Sequence, residues 1–255
     1  MRMLAVERHR EILSRVEFSG SVKVGQLARE LKVAEETIRR DLEKLHADGR
    51  LVRTRGGALR LDNNRREIPF DLREIVNLEE KRAIAGLAVE HVAEGDVIAL
   101  DASSTVRELA RLIPDMPLTV VTNSIAVTTV LLDRSRVRVI STGGILDGPL
   151  LSYVGSLAEE ALERFHIDKV FLSCKGFDIA RGLSVATDEH ARIKRRMMEL
   201  AGTVYLLVDS SKFGQNALEL FAQTGDVDYV ITDRGAGRTS ISKLKRMGIS
   251  VETSH

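Results

Sequence analysis

The chain has little of what marks secreted, membrane-spanning or metal-binding proteins. Its 255 residues contain a single cysteine, Cys174, which excludes a disulfide framework. The first residues carry several charges and form no apolar signal segment. No apolar run is long enough to span a bilayer, and the six histidines lack the paired spacing of zinc ligands. From these absences we expect a cytoplasmic protein that does not enter the membrane and holds no metal or cofactor.

Charge is distributed unevenly along the chain, although the net charge is only +1. Residues 1–66 contain 16 Lys and Arg against 10 Asp and Glu, whereas residues 67–255 contain 22 against 27. A basic first part attracts nucleic acid, and an acidic remainder limits non-specific binding elsewhere. The length suits one large domain or two smaller ones.

Residues 24–58 predict two short helices followed by a hairpin. The first helix has apolar residues at the i, i+3, i+4, i+7 spacing of one helical face, namely Val24, Leu27, Ala28 and Leu31. The second has an apolar face formed by Ile38, Leu42 and Leu45, and it is broken at Asp48-Gly49. Alternating residues 51–55 before Gly56-Gly57 predict the hairpin.

The outer face of the second helix and the hairpin carry side chains that suit DNA. Arg and Lys neutralise phosphates, and Arg can donate two hydrogen bonds to guanine in the major groove. The hairpin could lie against the backbone or minor groove as a wing. A small helical bundle with a solvated charged face is the alternative, but the hairpin at this spacing favours DNA. The predicted DNA-binding residues are Glu36, Thr37, Arg39, Arg40, Lys44, Arg53 and Arg55.

This stretch resembles the N-terminal winged helix-turn-helix domain of the DeoR family of bacterial transcription regulators. The most specific match is the run from Thr37 to Leu42, Thr-Ile-Arg-Arg-Asp-Leu, followed by Gly-Gly-Ala ending at Ala58. Family members commonly have Ser before each of the two helices, where this chain has Lys23 and Ala34. Neither side chain can act as an N-cap, which typically costs about 1 kcal/mol per helix. We therefore expect a somewhat less stable DNA-binding domain that keeps its function.

From Gly95 onward, short apolar runs alternate with helical patterns. We predict strands at 97–100, 118–121, 137–140, 169–174, 203–208, 227–231 and 249–251. This alternation favours a mostly parallel sheet covered by helices on both faces. The predicted organisation is an α/β protein with a winged helix-turn-helix domain at 1–58, a linker at 59–73 and a larger α/β domain at 74–255.

Polar residues follow several of the predicted strands, and ligands of open α/β sheets bind outside the carboxyl ends of the strands. Hydroxyls and free N–H groups at helix N-termini attract phosphate. Lysines could add counter-charge, and the two aspartates could accept hydrogen bonds from sugar hydroxyls. Each residue also has a plain structural role as a cap, turn or buried side chain, but the convergence of several loops favours a ligand site. The predicted effector-binding residues are Asp101, Ser103, Ser104, Thr105, Thr122, Asn123, Ser124, Gly143, Gly144, Lys175, Gly176, Asp178, Lys194 and Lys212.

These loops resemble the C-terminal sensor domain of DeoR regulators, which is related in fold to ribose-5-phosphate isomerase and the CoA transferases. The resemblance implies a phosphorylated sugar effector, double-stranded operator DNA as the partner, and a homodimer or homotetramer. It further implies a repressor of a sugar catabolic operon that the effector releases, and no enzymatic activity. The match is looser around Lys175, because family members often carry an acidic residue just before the glycine of this loop.

Two other functions stay open at this point. One is a sugar-phosphate isomerase-like enzyme that carries a DNA-binding domain, with Asp101, Asp178 or Glu189 as the base and Lys175 or Lys194 as the electrophile. The other is an activator or a nucleoid-type DNA binder without a ligand.

Overall fold

The computed structural model describes residues 4–19, 21–48, 50–60 and 69–254. Tertiary contacts divide the chain into two compact units, Met1–Asn63 and Asn64–His255, which we call the N-terminal and C-terminal units. Each unit has apolar clusters of its own, as expected of parts that fold around separate cores.

The N-terminal unit is a helix-turn-helix followed by a β-hairpin. Its three strands form an antiparallel sheet in the order β1-β3-β2, so the short strand before the second helix pairs with the hairpin. This confirms the predicted winged helix-turn-helix; Gly49, part of the predicted helix break, lies outside the described residues. The elements are α1 (Ala5–Ser19), β1 (Ser21–Lys23), α2 (Val24–Glu30), α3 (Glu35–Ala47), β2 (Leu51–Thr54) and β3 (Gly57–Arg60).

The predicted apolar stripes of this unit meet in one core. Ile12 of α1, Leu27 of α2, and Ile38 and Leu42 of α3 are almost completely buried against one another. Lys23 and Ala34 occupy the N-cap positions of α2 and α3, and neither makes a side-chain cap hydrogen bond.

The hairpin packs closely on β1 at a glycine. A Cβ atom at Gly57 would collide with the carbonyl group of Val22. The close pairing of β3 with β1 therefore requires glycine at this position.

Both described ends of the predicted linker belong to regular structure. β3 extends to Arg60, with Leu59 buried in the wing. A short helix, α4, begins at Phe70, and the Phe70 side chain is buried. The described ends of the predicted linker at 59–73 thus carry the end of a strand and a short helix, and the linker bounds stay a prediction. Residues 61–68 of the prediction lie outside the described residues.

The C-terminal unit contains seven α-helices and twelve strands within 69–254. The helices are α4 (Phe70–Arg73), α5 (Leu78–Ala88), α6 (Ser104–Leu112), α7 (Ile125–Val130), α8 (Ser156–Leu162), α9 (Asp188–Leu200) and α10 (Arg238–Arg246). The strands are β4 (Val97–Leu100), β5 (Leu118–Thr122), β6 (Val137–Ser141), β7 (Ile145–Asp147), β8 (Ser152–Val154), β9 (Ile167–Leu172), β10 (Gly176–Asp178), β11 (Gly182–Val185), β12 (Ala201–Leu207), β13 (Glu219–Ala222), β14 (Tyr229–Thr232) and β15 (Ser250–Thr253).

A seven-stranded sheet in the order β15-β14-β12-β9-β4-β5-β6 forms the centre of this unit, and all neighbouring strands are parallel. Alternate residues of β4 enter opposite cores, with Ile98 on one face and Ala99 on the other. α5 and α6 contribute Ile84 and Leu109 to the first core, whereas α9 contributes Met197 to the second. The predicted parallel sheet with helices on both faces is confirmed.

Two small sheets were not predicted. β7 and β8 form a hairpin, and β10, β11 and β13 form an antiparallel sheet. Their strands are only three or four residues long, which is too short to show a clear alternation in the sequence. Within the described ranges, no helix is both long and apolar enough to cross a bilayer.

Candidate DNA-binding surface and effector site

The outer face of α3 and the wing carry all seven predicted DNA-binding residues. The Arg40 side chain on this face is 77% exposed, and that of Glu36 is 63% exposed. The remaining predicted residues are exposed or half-buried, and they are Thr37, Arg39, Lys44, Arg53 and Arg55. The apolar face of α3 is directed into the core, so its polar face is left for a partner.

Two arginines of α3 on this surface form ion pairs with glutamates of the same helix. Arg39 lies 2.8 Å from Glu35, and Arg40 lies 3.4 Å from Glu36, each one helical turn away. Exposed ion pairs of this kind contribute only about 0–1 kcal/mol. The arginines can therefore exchange these partners for DNA phosphates or bases at little cost.

A buried ion pair joins α1 to the inner face of α3, and sequence analysis did not identify it. Arg8 donates hydrogen bonds to both carboxylate oxygens of Asp41, and His9 lies 2.9 Å from Asp41 Oδ1. Burial raises the pKa of Asp41, but Arg8 and His9 outweigh this effect and leave the pKa below its usual value. The signal in the sequence was a charged residue on the apolar stripe of α3, between Ile38 and Leu42.

A second buried ion pair stands at the carboxyl edge of the central sheet. Asp101 follows β4 and is 1% exposed, and Lys194 of α9 is 8% exposed. The Lys194 ammonium donates to Asp101 Oδ2 and to the Ser173 carbonyl, the latter at 2.9 Å. Asp101 also accepts the N–H groups of Ser103 at 2.9 Å and Ser173 at 3.0 Å. Two predicted effector residues thus hold the loops after β4 and β9 to α9.

Several predicted hydroxyls at this edge act as helix caps or strand-end contacts. Ser103 Oγ accepts the Val106 N–H at 3.2 Å, and Ser124 Oγ accepts the Val127 N–H at 3.1 Å. Thr122 Oγ1 donates to the Leu100 carbonyl at 2.6 Å. Two further predicted hydroxyls, Ser104 and Thr105, are buried in the first turn of α6. These hydrogen bonds fix the N-terminus of α6, which follows β4, and the N-terminus of α7, which follows the neighbouring strand β5.

Three predicted glycines shape the loops of this edge. Gly143 and Gly144 have positive φ values of 63° and 115°, which favour glycine. A Cβ atom at Gly176 would lie 2.6 Å from the carbonyl oxygen of Gln215. The loop after β9 therefore packs directly on the segment before β13.

The loop after β12 places charges near the buried cysteine. Asp209 is buried, and burial raises its pKa, but the Lys212 ammonium and hydrogen bonds outweigh this and lower it. Burial raises the pKa of the Cys174 thiol to about 12, against the charges of Lys194 and Lys212. Cys174 is thus a neutral thiol at physiological pH and not a reactive thiolate.

Two further predicted residues are Lys175, in the connection between β9 and β10, and Asp178, the last residue of β10. Lys175 is half-buried, and its N–H donates to the Ser184 carbonyl at 3.0 Å. The Asp178 carboxylate accepts the N–H groups of Ala180 at 2.9 Å and Arg181 at 3.1 Å, and these backbone hydrogen bonds lower its pKa.

Four buried side-chain oxygen atoms of this unit have no hydrogen-bond partner among the described residues. They are Asn123 Oδ1 after β5, Ser152 Oγ in β8, Thr187 Oγ1 before α9 and Thr232 Oγ1 at the end of β14. The Asn123 Nδ2 group, by contrast, donates to the Tyr153 carbonyl at 3.0 Å. Buried polar groups are rarely left unpaired in native proteins, so these atoms are candidates for contact with a polar ligand. No group of three or more His, Cys, Asp or Glu side chains in the described ranges is placed to hold a metal ion.

Comparison with known proteins matches both units. The model of the DeoR-like helix-turn-helix domain covers residues 8–64, and that of the DeoR C terminal sensor domain covers residues 76–234. The chain is 39% identical to the L-fucose operon activator of Haemophilus influenzae, over 88% of this chain and 90% of that protein. It is 32% identical to the HTH-type transcriptional repressor GlcR of Bacillus subtilis, over 98% and 96% of the two chains.

One solved structure aligns with part of this chain. Ribose 5-phosphate isomerase A from Methanocaldococcus jannaschii aligns with 54% of this chain and 55% of its own, with a TM-score of 0.41 and 17% identity. This partial likeness is too distant to bear on function. The two family models and the full-length relatives, together with the winged helix-turn-helix and the parallel α/β unit, show that the chain belongs to the DeoR family of DNA-binding transcription regulators.

Proposed function

We propose that the chain represses a sugar catabolic operon and that a phosphorylated sugar, bound at the carboxyl edge of the central sheet, releases it from operator DNA. The observation that carries the proposal is the convergence at this edge of loops from β4, β5, β9 and β12. The names of the two relatives, an operon activator and a repressor, support a regulatory role. The predicted site residues enter the proposal with the roles that their surroundings favour.

The chemistry of the edge suits a phosphorylated polyol. The capped N-termini of α6 and α7 offer backbone N–H groups to phosphate, and Lys212 supplies a positive charge. Asn123 Oδ1 and Thr187 Oγ1 lack partners within the described residues, and sugar hydroxyls would satisfy them. Asp101 and Lys194 neutralise each other, so in this proposal they fix the loops and do not bind phosphate directly.

The proposed release requires two arrangements of an oligomer. A dimer or tetramer would present two copies of α3 to successive major grooves, one helical turn of DNA apart. A ligand changes DNA affinity only if it binds one arrangement more tightly than the other. We therefore propose that the effector favours an arrangement whose α3 spacing does not match the operator.

The site favours a sensor over an isomerase. Asp101, the most buried candidate base, is engaged by Lys194 and by two backbone N–H groups. Asp178 accepts backbone hydrogen bonds that lower its pKa, which makes it a weak base. Turnover of ribose 5-phosphate by the purified protein would support the enzyme alternative.

The test is unfolding of the purified protein with a panel of phosphate esters and their unphosphorylated parents. All three tyrosines, Tyr153, Tyr205 and Tyr229, lie in the C-terminal unit, and the chain has no tryptophan. Tyrosine fluorescence therefore follows this unit alone. A ligand at one hundred times its dissociation constant adds about 2.7 kcal/mol, and we expect a rise in Tm of roughly 5–10 °C for a unit of this size.

The outcomes separate the proposed effector class from its alternatives. A rise with one ester and none with its parent sugar supports a phosphate-specific sensor. The same ester should then weaken binding to a duplex selected from a random pool, measured by fluorescence anisotropy. No rise with any ester would contradict the proposal. Equal affinity for selected and unrelated duplexes at matched salt would instead favour a nucleoid-type binder.

A further inference from the structure

The first residues of the described range 69–254 contact elements at the carboxyl edge of the central sheet, where the effector site is proposed. The buried Phe70 donates its backbone N–H to the Pro149 carbonyl, at 2.9 Å, in the turn between β7 and β8. Glu74 forms an ion pair with Arg107 of α6, and the Arg107 guanidinium lies 5.8 Å from the centre of the Phe70 ring. The start of the C-terminal unit is therefore packed against elements that follow β4 and β6.

Lys81 of α5 stabilises the turn between α4 and α5 through hydrogen bonds. Its buried ammonium group donates to the carbonyl oxygens of Arg73 at 2.5 Å and Val76 at 2.6 Å. Burial lowers the pKa of this ammonium to about 8. The two carbonyl oxygens stabilise the charged Lys81 ammonium group in the core. The same two hydrogen bonds fix the conformation of the turn.

Asn77, the last residue of that turn, connects it to the loop after β12. Its Nδ2 group donates to Asp209 Oδ1 at 3.0 Å and to Ser211 Oγ at 3.3 Å. The same Asp209 oxygen accepts the N–H and hydroxyl groups of Ser211. Asp209 also interacts electrostatically with Lys212, the lysine assigned to phosphate in the proposed function. A ligand that binds the Lys212 ammonium would therefore alter the charge around Asp209, to which Asn77 donates a hydrogen bond.

We propose that Asn77 is a positioning residue that couples occupancy of the effector site to the segment leading to the DNA-binding unit. The inference rests on the proposed function and adds its route of regulation. A phosphate that binds Lys212 and the Ser211 hydroxyl changes the interactions of both groups with Asp209. The hydrogen bond that Asp209 accepts from Asn77 then changes as well. The turn held by Lys81 then shifts, and with it the residues that continue toward 61–68.

The test replaces Asn77 in the full chain without disturbing its backbone. Asn77 has a positive φ of 51°, which glycine adopts freely, so Asn77→Gly removes the side-chain contact alone. Asn77→Asp keeps the size and places a second carboxylate beside Asp209. Leu151→Gly is the matched control, because Leu151 also has a positive φ, of 49°, and lies between β7 and β8, outside the turn that ends at Asn77.

The probe is the ester from the panel that raises the Tm of the unchanged protein. We expect Asn77→Gly to bind the selected duplex and the ester as the unchanged protein does. Asn77→Asp should also bind the duplex unchanged but bind the ester more weakly, because its carboxylate repels the phosphate, so it is tested at saturating ester. Saturating ester should weaken DNA binding by about 5- to 150-fold in the unchanged protein and in Leu151→Gly, the usual range of allosteric coupling. In both Asn77 variants the change should be less than about twofold.

The result that overturns the inference differs from the one that overturns the proposed function. If the Asn77 variants release DNA as fully as the unchanged protein, the coupling does not pass through Asn77. If no ester raises the Tm of the unchanged protein, the proposed effector site fails, and this inference fails with it.

Discussion

The buried pair of Asp101 and Lys194 gives the sharpest prediction for the C-terminal unit. Removing one partner of a buried ion pair leaves the other charge without compensation and costs about 3–5 kcal/mol. Asp101→Asn should therefore destabilise this unit strongly. The Lys194 ammonium loses its carboxylate partner and keeps the neutral Ser173 carbonyl as an acceptor. Lys194→Met should have a similar but smaller effect, since Asp101 keeps two backbone N–H donors.

The double variant should recover much of the loss. Asn and Met at the two positions leave no buried charge, and replacing a buried pair by neutral groups of similar volume is often nearly neutral. The free energy of unfolding is measured by urea titration with tyrosine fluorescence, which follows this unit alone. The control is the pair of Arg196 and Glu163, which is also close, at 2.7 Å, but partly exposed. Its coupling energy should stay below about 1 kcal/mol.

Two results would refute this reasoning. One is a single substitution that costs no more than the exposed control pair. The other is a double variant whose loss equals the sum of the two single losses, which would mean that the charges do not compensate each other. The double variant also separates structure from binding. If it is stable and still responds to the ester, Asp101 and Lys194 hold the loops and do not contact the ligand.

Three further predictions follow from single residues. Arg40→Ala should weaken binding to the selected duplex roughly 5- to 150-fold and leave the ester-induced Tm rise intact, whereas Arg246→Ala, a charge-matched control, should leave DNA affinity unchanged. Cys174→Ala should remove a loss of stability at alkaline pH, because the thiol has a pKa of about 12 in the folded state against 9 in the unfolded state and so stays protonated longer when folded. The free energy of unfolding of the unchanged protein should therefore fall by about 1.4 kcal/mol more than that of the variant between pH 8 and 10. Urea midpoints that change in parallel with pH for the two proteins would contradict this. Ala34→Ser should add about 1 kcal/mol to the N-terminal unit by capping α3, seen as slower amide hydrogen exchange in α3 with no change in tyrosine fluorescence.

The central strands of the large sheet could be predicted because each contains a short apolar run, whereas the edge strands β6 and β15 mix apolar residues with polar and charged ones. β4, at Val97–Leu100, is one of the central strands and has the predicted bounds. The small sheets could not be predicted in the same way. β7 and β8 form a local hairpin whose strands are too short to show an alternation, whereas the pairing of β11 with the distant β13 depends on a long-range contact.

The candidate residues could be predicted better than their contacts. Sequence analysis placed Asp101 and Lys194 at one edge of the sheet, but it could not show that they neutralise each other. That pairing brings together residues 93 positions apart, and no local pattern encodes it. The assignment of Asp101 to sugar hydroxyls therefore rested on a side chain whose oxygens are already in use.

Charged residues within apolar stripes were the signal that the sequence offered and that was not used. Asp41 lies beside Ile38 and Leu42 in α3, and Lys81 precedes Ile84 on the buried face of α5. Buried charges are costly unless paired. Each such residue therefore predicts a partner elsewhere in the fold, here Arg8 for Asp41 and two backbone carbonyls for Lys81.

These two residues also mark the places where a rigid element must be oriented. Apolar packing of α3 through Ile38 and Leu42 is largely non-directional, whereas the two hydrogen bonds from Arg8 to Asp41 have a fixed geometry. Lys81 does the same for the turn that ends at Asn77. The first residues of the C-terminal unit are one route by which the proposed effector signal can leave that unit. The contacts of Lys81 and Asn77 make this route specific enough to be tested by one substitution.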